Sequence, residues 1–419
     1  MLKINIYMIA SKCRLCGSKN LYEFLDLGYH PPSDQFIRAE NINNKIISYP
    51  LKVLSCQKCG FKQLNYIVDP KILYQKDYPY ESSLTKVGQT HFQEFADSVT
   101  KNFNLNNKDL MIDIGSNVGV LLNAFRINKL RVLGVDPAPN ICEIAKKKGF
   151  NTICDFYNQK TAKKILKNYG FAKIVTGTNV FAHIDNLNDL IKNVFLILDK
   201  KKGVAIFEMP HFLNLINKIE YDTIYHEHLS YITILPLINF LKKFNVEIIK
   251  VEKKDIHGGS VRIFLSKKGN YKIDKSVKEI CNSEVKAKLN DKKVLYRFSE
   301  KVKQNRIDLV KFLNHCKLKN KKVIAISAPA KGMTLLNYCK LDNNYLEYVT
   351  EKSKLKQGKF TPGCLLPVYS DKYIAKTKPD YALILAWNFA EEIIKNNKKY
   401  MKKNSKFIIP IPKLKIIKV

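Results

Sequence analysis

The sequence predicts an α/β chain in three parts, and three observations carry that prediction. Two Cys-x-x-Cys pairs near the N-terminus mark a small metal-binding segment. From about residue 86, short apolar runs alternate with helix-like stretches, as in a mostly parallel sheet with helices on both faces. After a charged, helix-like connector at residues 275–318 the alternation resumes, which predicts a second α/β unit. At 419 residues the chain is too long for one compact core. Domains are expected at 1–85, 86–272 and 273–419.

Composition narrows the class. Hydrophobic content of 46%, with 22 Tyr and 22 Phe, is ample for burial. No run of about 18 uncharged apolar residues occurs, so no membrane span is expected. The opening MLKINIYMIASK lacks an adequate h-region, and Met8 is an alternative start, so a cytoplasmic protein is expected. The formal charge of +35 raises a nucleic-acid reading. Lys is nonetheless spread over every segment, without an Arg-rich stripe bearing aromatics, which favours solvated surface over a nucleic-acid groove. The charge would still help an anionic small substrate approach. A zinc-containing nucleic-acid-binding protein remains the alternative from another class.

Cys13-Arg-Leu-Cys16 and Cys56-Gln-Lys-Cys59 have the spacing that places two thiolates on adjacent corners of a tetrahedron. Gly17 and Gly60 follow the pairs and let backbone amides turn back toward sulfur. Four thiolates saturate zinc, so the role is structural. The 39 residues between the pairs require an excursion, in which His30-Pro31-Pro32 reads as extended. The six other Cys are expected to be small buried apolar residues.

In the middle part LMIDIG is a buried strand running into Gly115-Ser116-Asn117-Val118-Gly119, and RVLGVDP is the next strand, ending at Asp136. AKIVTGTNVF, VAIFEMP, VEIIKVEKK and SVRIFLS supply later strands. Gly115 and Gly119 permit a tight loop, and Asp136 is placed for the two hydroxyls of a ribose. A dinucleotide enzyme shares that acid. The loop lacks Gly-x-Gly-x-x-Gly, however, and suits S-adenosylmethionine better than a pyrophosphate. Asn179-Val180-Phe181-Ala182-His183 follows a strand, and Tyr221 to His228 crowds two His, two Tyr and two carboxyls into eight residues. Acid–base chemistry is favoured there. A second metal site at His226 and His228 and a polar surface loop are the competing readings.

In the last part KKVIAIS reads as a strand and Ala328-Pro329-Ala330-Lys331-Gly332 as a turn into the helix MTLLNYC, a diphosphate cradle or an ordinary strand–helix turn. EYVTE, ALILAW and KFIIPI supply further strands, with Trp387 and Asn388 at a strand end as candidate ligand or domain contacts.

The ordered motifs DIGSNVGVLL, NVFAHI, YHEHLSY, HGGSVR, APAKGMTLLNY, KQGKFTPG and ALILAWN, after the two Cys pairs, resemble the sugar C-methyltransferases of deoxysugar biosynthesis. These are zinc-containing, S-adenosylmethionine-dependent enzymes that methylate C3 of a nucleotide-linked 4-keto-6-deoxyhexose. The resemblance runs from about Cys13 to the end of the chain. It implies a zinc domain, a class I Rossmann-like methyltransferase domain and a Rossmann-like C-terminal domain, with the active site in the cleft between the last two. The zinc ligands would be Cys13, Cys16, Cys56 and Cys59. Asp113, Gly115, Asn117, Gly119, Asp136 and Asn179 would hold the cofactor. His228 would be the base beside Tyr225 and Glu227, with His183 and either Tyr78 or Tyr80 also facing the sugar. His257, Ser260, Arg262, Lys331, Gly332 and Asn388 would bind substrate. Two departures stand out: Ala325-Ile326-Ser327 replaces a usual Gly-x-Gly, and Glu351 replaces a common Asp.

These readings imply a base that removes a proton α to a ketone, an enolate held by hydrogen-bond donors, and methyl transfer to its carbon. Histidine suits the base role because its ordinary pKa is about 6.5. Glu227 is expected to fix the His228 tautomer and Tyr225 to donate to the enolate oxygen. A sugar O-methyltransferase is the nearest rival, and the protein is expected to be a monomer or homodimer.

Overall fold

The computed structural model describes residues 9–75, 77–82, 86–256 and 258–418; Met8 and His257 lie outside them. Three sheets organise these residues. The strands are β1 (Leu21–His30), β2 (Tyr49–Cys56), β3 (Lys62–Leu64), β4 (Leu110–Ile114), β5 (Arg131–Asp136), β6 (Thr152–Cys154), β7 (Ile174–Thr178), β8 (Val204–Pro210), β9 (Ser230–Tyr231), β10 (Val246–Lys254), β11 (Ser260–Lys267), β12 (Val323–Ile326), β13 (Val349–Thr350), β14 (Val368–Tyr369), β15 (Tyr381–Ile384), β16 (Lys406–Ile409) and β17 (Lys415–Lys418).

The N-terminal sheet is antiparallel, in the order β1-β2-β3-β9. The long excursion between the Cys pairs is therefore the hairpin of β1 and β2. Its last strand comes from the middle of the chain, so the metal-bearing part is stitched to the segment that carries His228.

The central sheet runs β10-β11-β8-β7-β4-β5-β6. Strands β8, β7, β4, β5 and β6 are parallel, and β11 enters antiparallel between β8 and β10. LMIDI of β4 is buried at every position, as expected of a parallel strand covered on both faces. Helices flank the sheet with ordinary caps. Asn158 accepts from the Thr161 amide to start Gln159–Tyr169, and Gly170, at φ 81°, ends it.

The C-terminal sheet has the order β14-β13-β12-β15-β16-β17, parallel except for the last pair. Its connector is two helices, Lys275–Lys286 and Lys292–Leu318, each N-capped by an Asp. The second buries Leu295, Phe298, Val302, Leu309, Leu313 and Cys316, one stripe at helical spacing. That stripe joins Phe24, Leu51 and Val53 of the N-terminal sheet and Val323 and Leu383 of the C-terminal sheet in one core.

In both large sheets the strand order reverses beside the first strand, between β4 and β7 and between β12 and β15. Loops leaving the carboxyl ends of strands at such a reversal form a crevice for ligands. Among the scattered cysteines, Cys142, Cys316 and Cys339 are buried as expected, but Cys154 is exposed at a sheet edge. Among the described residues, no helix is long and apolar enough to cross a membrane.

Candidate active site

The four metal-type cysteines come together first. Cys13 Sγ lies 3.5 Å from Cys59 Sγ, Cys16 Sγ lies 3.6 Å from Cys56 Sγ, and all four sulfurs are within 4.8 Å of one another. Tetrahedral zinc with Zn–S bonds near 2.3 Å needs sulfurs roughly 3.8 Å apart, so the set fits the ion. Gly17 and Gly60 adopt φ of 72° and 81°, closing the two turns onto the Cys13 and Cys56 carbonyls. Among the described residues this is the one His/Cys/Asp/Glu group with metal-ligand spacing. The reading of His226 and His228 as a second metal site is not supported. His226 Nε2 faces the Pro50 carbonyl of β2 at 3.3 Å, whereas His228 packs against Tyr225 and His183.

The loop after β4 occupies the first reversal point. Gly115 and Gly119 have φ of 70° and 84°, and a Cβ at either would meet Val180 or Phe150 within 2.5 Å. Asp136, at the end of β5, accepts from the Asn117 amide (2.9 Å) and the Ala138 amide (3.0 Å). Two of the roughly four acceptor positions of its carboxylate are thus taken, and the others suit the paired hydroxyls of a ribose. Asp113 accepts from Thr176 Oγ1 at 2.6 Å, and burial lifts its pKa to about 7. The Asn117 side chain donates to the Tyr80 carbonyl and accepts from the Ser82 amide, tying the loop to the segment after residue 77. Asn179 sits at φ 59° on the neighbouring β7 loop. Val118, Ala138 and Ile141 form an apolar patch bordered by Tyr78 and by Leu355 of the C-terminal part.

Beside this loop lies a cluster drawn from all three parts of the chain. The His183 and His228 rings are 5.1 Å apart, and the Tyr225 ring is 4.0 Å from His228. His228 Nδ1 is 2.7 Å from the Thr223 carbonyl, which can only accept. In the neutral ring Nδ1 therefore carries the proton, and Nε2 carries the lone pair. Thr223, not Glu227, fixes this tautomer, which corrects the expectation from sequence. Both Glu227 oxygens are buried without a hydrogen-bond partner. Burial, and then Asp34, raise the Glu227 pKa to about 8. His183 Nδ1 meets Tyr74 Oη at 3.2 Å and its Nε2 has no partner; burial and His228 hold its pKa well below the usual value. Burial pushes the Tyr74, Tyr78 and Tyr225 phenols well above 10, so all three remain protonated donors. The Tyr78 ring packs on Tyr74 at 5.5 Å. Tyr80 is 39% exposed and contributes its carbonyl to Asn117.

Three members of this cluster escaped the sequence reading: Asp34, Tyr74 and Lys356. Lys356 Nζ lies 3.3 Å from Asp34 Oδ1 and donates to the Ala328 carbonyl, so a buried ion pair joins the N-terminal and C-terminal parts. Asp34 follows Pro31-Pro32-Ser33 in the stretch read as extended. A polar residue held there was the available signal.

The second reversal point carries Lys331 and Asn388. Lys331 Nζ is buried, 4.1 Å from the Trp387 ring and 3.9 Å from Asp222 Oδ2, with no hydrogen-bond partner. Trp387 Nε1 donates to Asp222 at 2.7 Å, while Asp222 Oδ1, both Glu220 oxygens and Asn388 Oδ1 are buried without partners. Gly332 packs closely, since a Cβ there would meet Leu385 at 2.8 Å. The two departures from the family pattern converge on this loop. Ser327 takes φ 71°, and Glu351 accepts from the Ala328 amide at 2.7 Å.

Two other expected substrate contacts are engaged elsewhere. Arg262 is 1% exposed, donates to Glu208 at 2.7 and 2.9 Å, approaches Glu252 at 3.5 Å and lies over the Phe95 ring. An Arg so buried survives by ion pairing, here with Glu208 and Glu252. Ser260 Oγ donates to the Ile256 carbonyl.

Three family models match in chain order: a zinc binding domain over residues 13–74, a methyltransferase domain over 88–251 and a C-methyltransferase C-terminal domain over 255–412. The C-methyltransferase NovU of Streptomyces niveus is 29% identical over 407 residues, 97% of this chain and 96% of that protein. Solved structures with slight likeness include an S-adenosylmethionine-dependent methyltransferase from Clostridium acetobutylicum (16% identity, TM-score 0.34, covering 44% of this chain and 94% of that one). Magnesium protoporphyrin IX methyltransferase of Synechocystis with bound cofactor is another (13%, TM-score 0.33, 46% and 88%). With a cysteine tetrad in the first matched segment, a glycine loop in the second and similarity over nearly its full length to a C-methyltransferase, the chain is a zinc-binding, S-adenosylmethionine-dependent methyltransferase that resembles the C-methyltransferases in all three matched segments.

Proposed function

We propose that this C-methyltransferase acts on a nucleotide-activated keto-deoxysugar, with His228 as the base that removes the proton α to the ketone. The observation that carries this reading is the His228–Thr223 hydrogen bond, which leaves Nε2 as the basic nitrogen amid groups that lack partners. His183 is the weaker candidate, because burial holds its basicity down.

Each neighbour then has a task. Tyr225 and Tyr78, kept protonated by burial, donate to the oxygen of the developing enolate. Glu227, protonated up to about pH 8, is a third donor. Gly115, Asn117, Gly119, Asp136 and Asn179 hold the cofactor. Bound there, S-adenosylmethionine supplies an electrophilic methyl group to the carbon that the base has activated. Lys331 takes the diphosphate and Asn388 the nucleotide or sugar at the second reversal point, where buried groups without partners suit a polar guest.

The test is incubation with S-adenosylmethionine and a panel of nucleotide-4-keto-6-deoxysugars, with products read by mass and NMR. A new C–CH3 group is the expected result. An O–CH3 group, or no methylation across the panel, overturns the reading.

A further inference from the structure

The residue between Cys13 and Cys16 reaches further than a metal loop requires. Arg14 has a side chain only 4% exposed, and its donors leave the knuckle in two directions. Nε donates to Asp185 Oδ1 at 2.9 Å, two residues beyond His183. Nη1 donates to the Leu229 carbonyl at 2.9 Å, one residue beyond His228, and to the Leu64 carbonyl at 3.1 Å. The Arg14 backbone is itself pinned. Its amide donates to Gln63 Oε1 at 2.8 Å, and Gln63 Nε2 returns to the Lys12 carbonyl at 2.9 Å. Gln63 lies opposite Ser230 in the β3–β9 pair, and the Leu64 amide donates to the Leu229 carbonyl at 3.0 Å.

We infer that Arg14 is a positioning residue through which the zinc loop sets the spacing of His183 and His228. Zinc bound by Cys13 and Cys16 immobilises the backbone on both sides of Arg14. The guanidinium is planar with donors in fixed directions, so it transmits that fixed position to two segments at once. A lysine ammonium is a single point on a flexible stem and cannot reproduce the fork. Both site histidines sit within two residues of an Arg14 acceptor, and their rings face each other at 5.1 Å. The zinc domain thereby acts on the chemistry without touching the substrate.

The test uses the full-length, zinc-loaded protein without substrate. Ring signals of 13C-labelled histidine are followed by NMR in Arg14→Met, Arg14→Lys and Asp185→Asn, with zinc content measured in each. With one zinc per chain retained, Arg14→Met and Arg14→Lys should shift the His183 and His228 signals. His91, paired with Glu208, and His315, on the helix Lys292–Leu318, should hold still. Asp185→Asn should move the His183 signal most. Unmoved His183 and His228 signals, or equal shifts at all four, overturn the inference. If the Arg14 variants lose zinc or fail to fold, Asp185→Asn decides alone, because its side chain is half exposed; an unmoved His183 signal then overturns the inference. A kinetic arm rests on the proposed function: Arg14→Lys should lower kcat at least tenfold with cofactor affinity unchanged. Absence of turnover by the unaltered enzyme would sink that function and leave the NMR result standing.

Discussion

The two sides of the site are built on opposite terms. On the proposed cofactor side, glycines hold two of the left-handed positions, and the Asp113, Asn117 and Asp136 side chains are bonded to Thr176, to residues 80 and 82, and to the Asn117 and Ala138 amides. On the proposed acceptor side, Glu227, His183 Nε2, Lys331 Nζ, Asp222 Oδ1 and Asn388 Oδ1 are buried without hydrogen-bond partners, and Ser327 occupies a left-handed position. The first arrangement holds its carboxyl and amide side chains in place, with the Ser116 hydroxyl as its one group among these loop residues buried without a hydrogen-bond partner. The second leaves buried polar groups unsatisfied, which costs stability until a ligand supplies their hydrogen bonds. The difference teaches where binding energy would be stored under the proposed function: most side chains of the proposed cofactor loop are satisfied in advance, and the proposed substrate groups are left wanting.

The largest effect should come from separating the two sides. His228→Ala removes the proposed base and none of the cofactor loop. Turnover should fall by about 10²- to 10⁴-fold, and solvent deuterium should no longer enter the carbon α to the ketone. S-adenosylmethionine affinity by calorimetry should stay within a factor of two or so of the unaltered protein, in keeping with an independent cofactor side. Deuterium exchange at the unaltered rate would move the base to another residue, and a large loss of cofactor affinity would break the comparison itself.

How much of this was visible in the sequence follows from the same contrast. The proposed cofactor loop is contiguous, so the turn at Gly115 and Gly119 could be read from spacing, and the cysteine tetrad from two Cys-x-x-Cys pairs. The acceptor side is assembled from distant segments. Asp34 meets Lys356 only after the N-terminal sheet has packed on the C-terminal part, and Tyr74 meets His183 across 109 positions. The ion pairs of Arg262 likewise depend on register. The β11–β8 pairing sets it opposite Glu208, and nothing in HGGSVR reveals that. The tautomer of His228 depends on a carbonyl five residues away, in a turn that no periodicity describes.

A smaller effect should appear in how stability depends on pH. Glu227 has a pKa near 8 in the folded chain against an ordinary 4.5. Between those values the folded protein holds a proton that the unfolded chain has lost, so stability falls as pH rises through that window. Gln cannot ionise. Glu227→Gln should therefore gain in melting temperature over the unaltered protein as pH goes from 5 to 8, with the gain present at 8 and slight at 5. An equal difference at both values would show that Glu227 is not a strained acid.

The smallest effect belongs to Ser327. Its φ of 71° places Cβ against the backbone, a cost of about 1–2 kcal/mol that glycine escapes. Glycine in turn loses about 0.5–1 kcal/mol to the greater freedom of the unfolded chain. The difference leaves a net gain of about 0–1.5 kcal/mol for Ser327→Gly in denaturant unfolding. The loop should keep its shape, since Glu351 holds the Ala328 amide and Lys356 the Ala328 carbonyl. If the variant is instead less stable, the serine hydroxyl is holding the loop. If it is more stable but binds the nucleotide-sugar more weakly, strain at residue 327 belongs to the same reserve as the lysine and acids around it that lack hydrogen-bond partners.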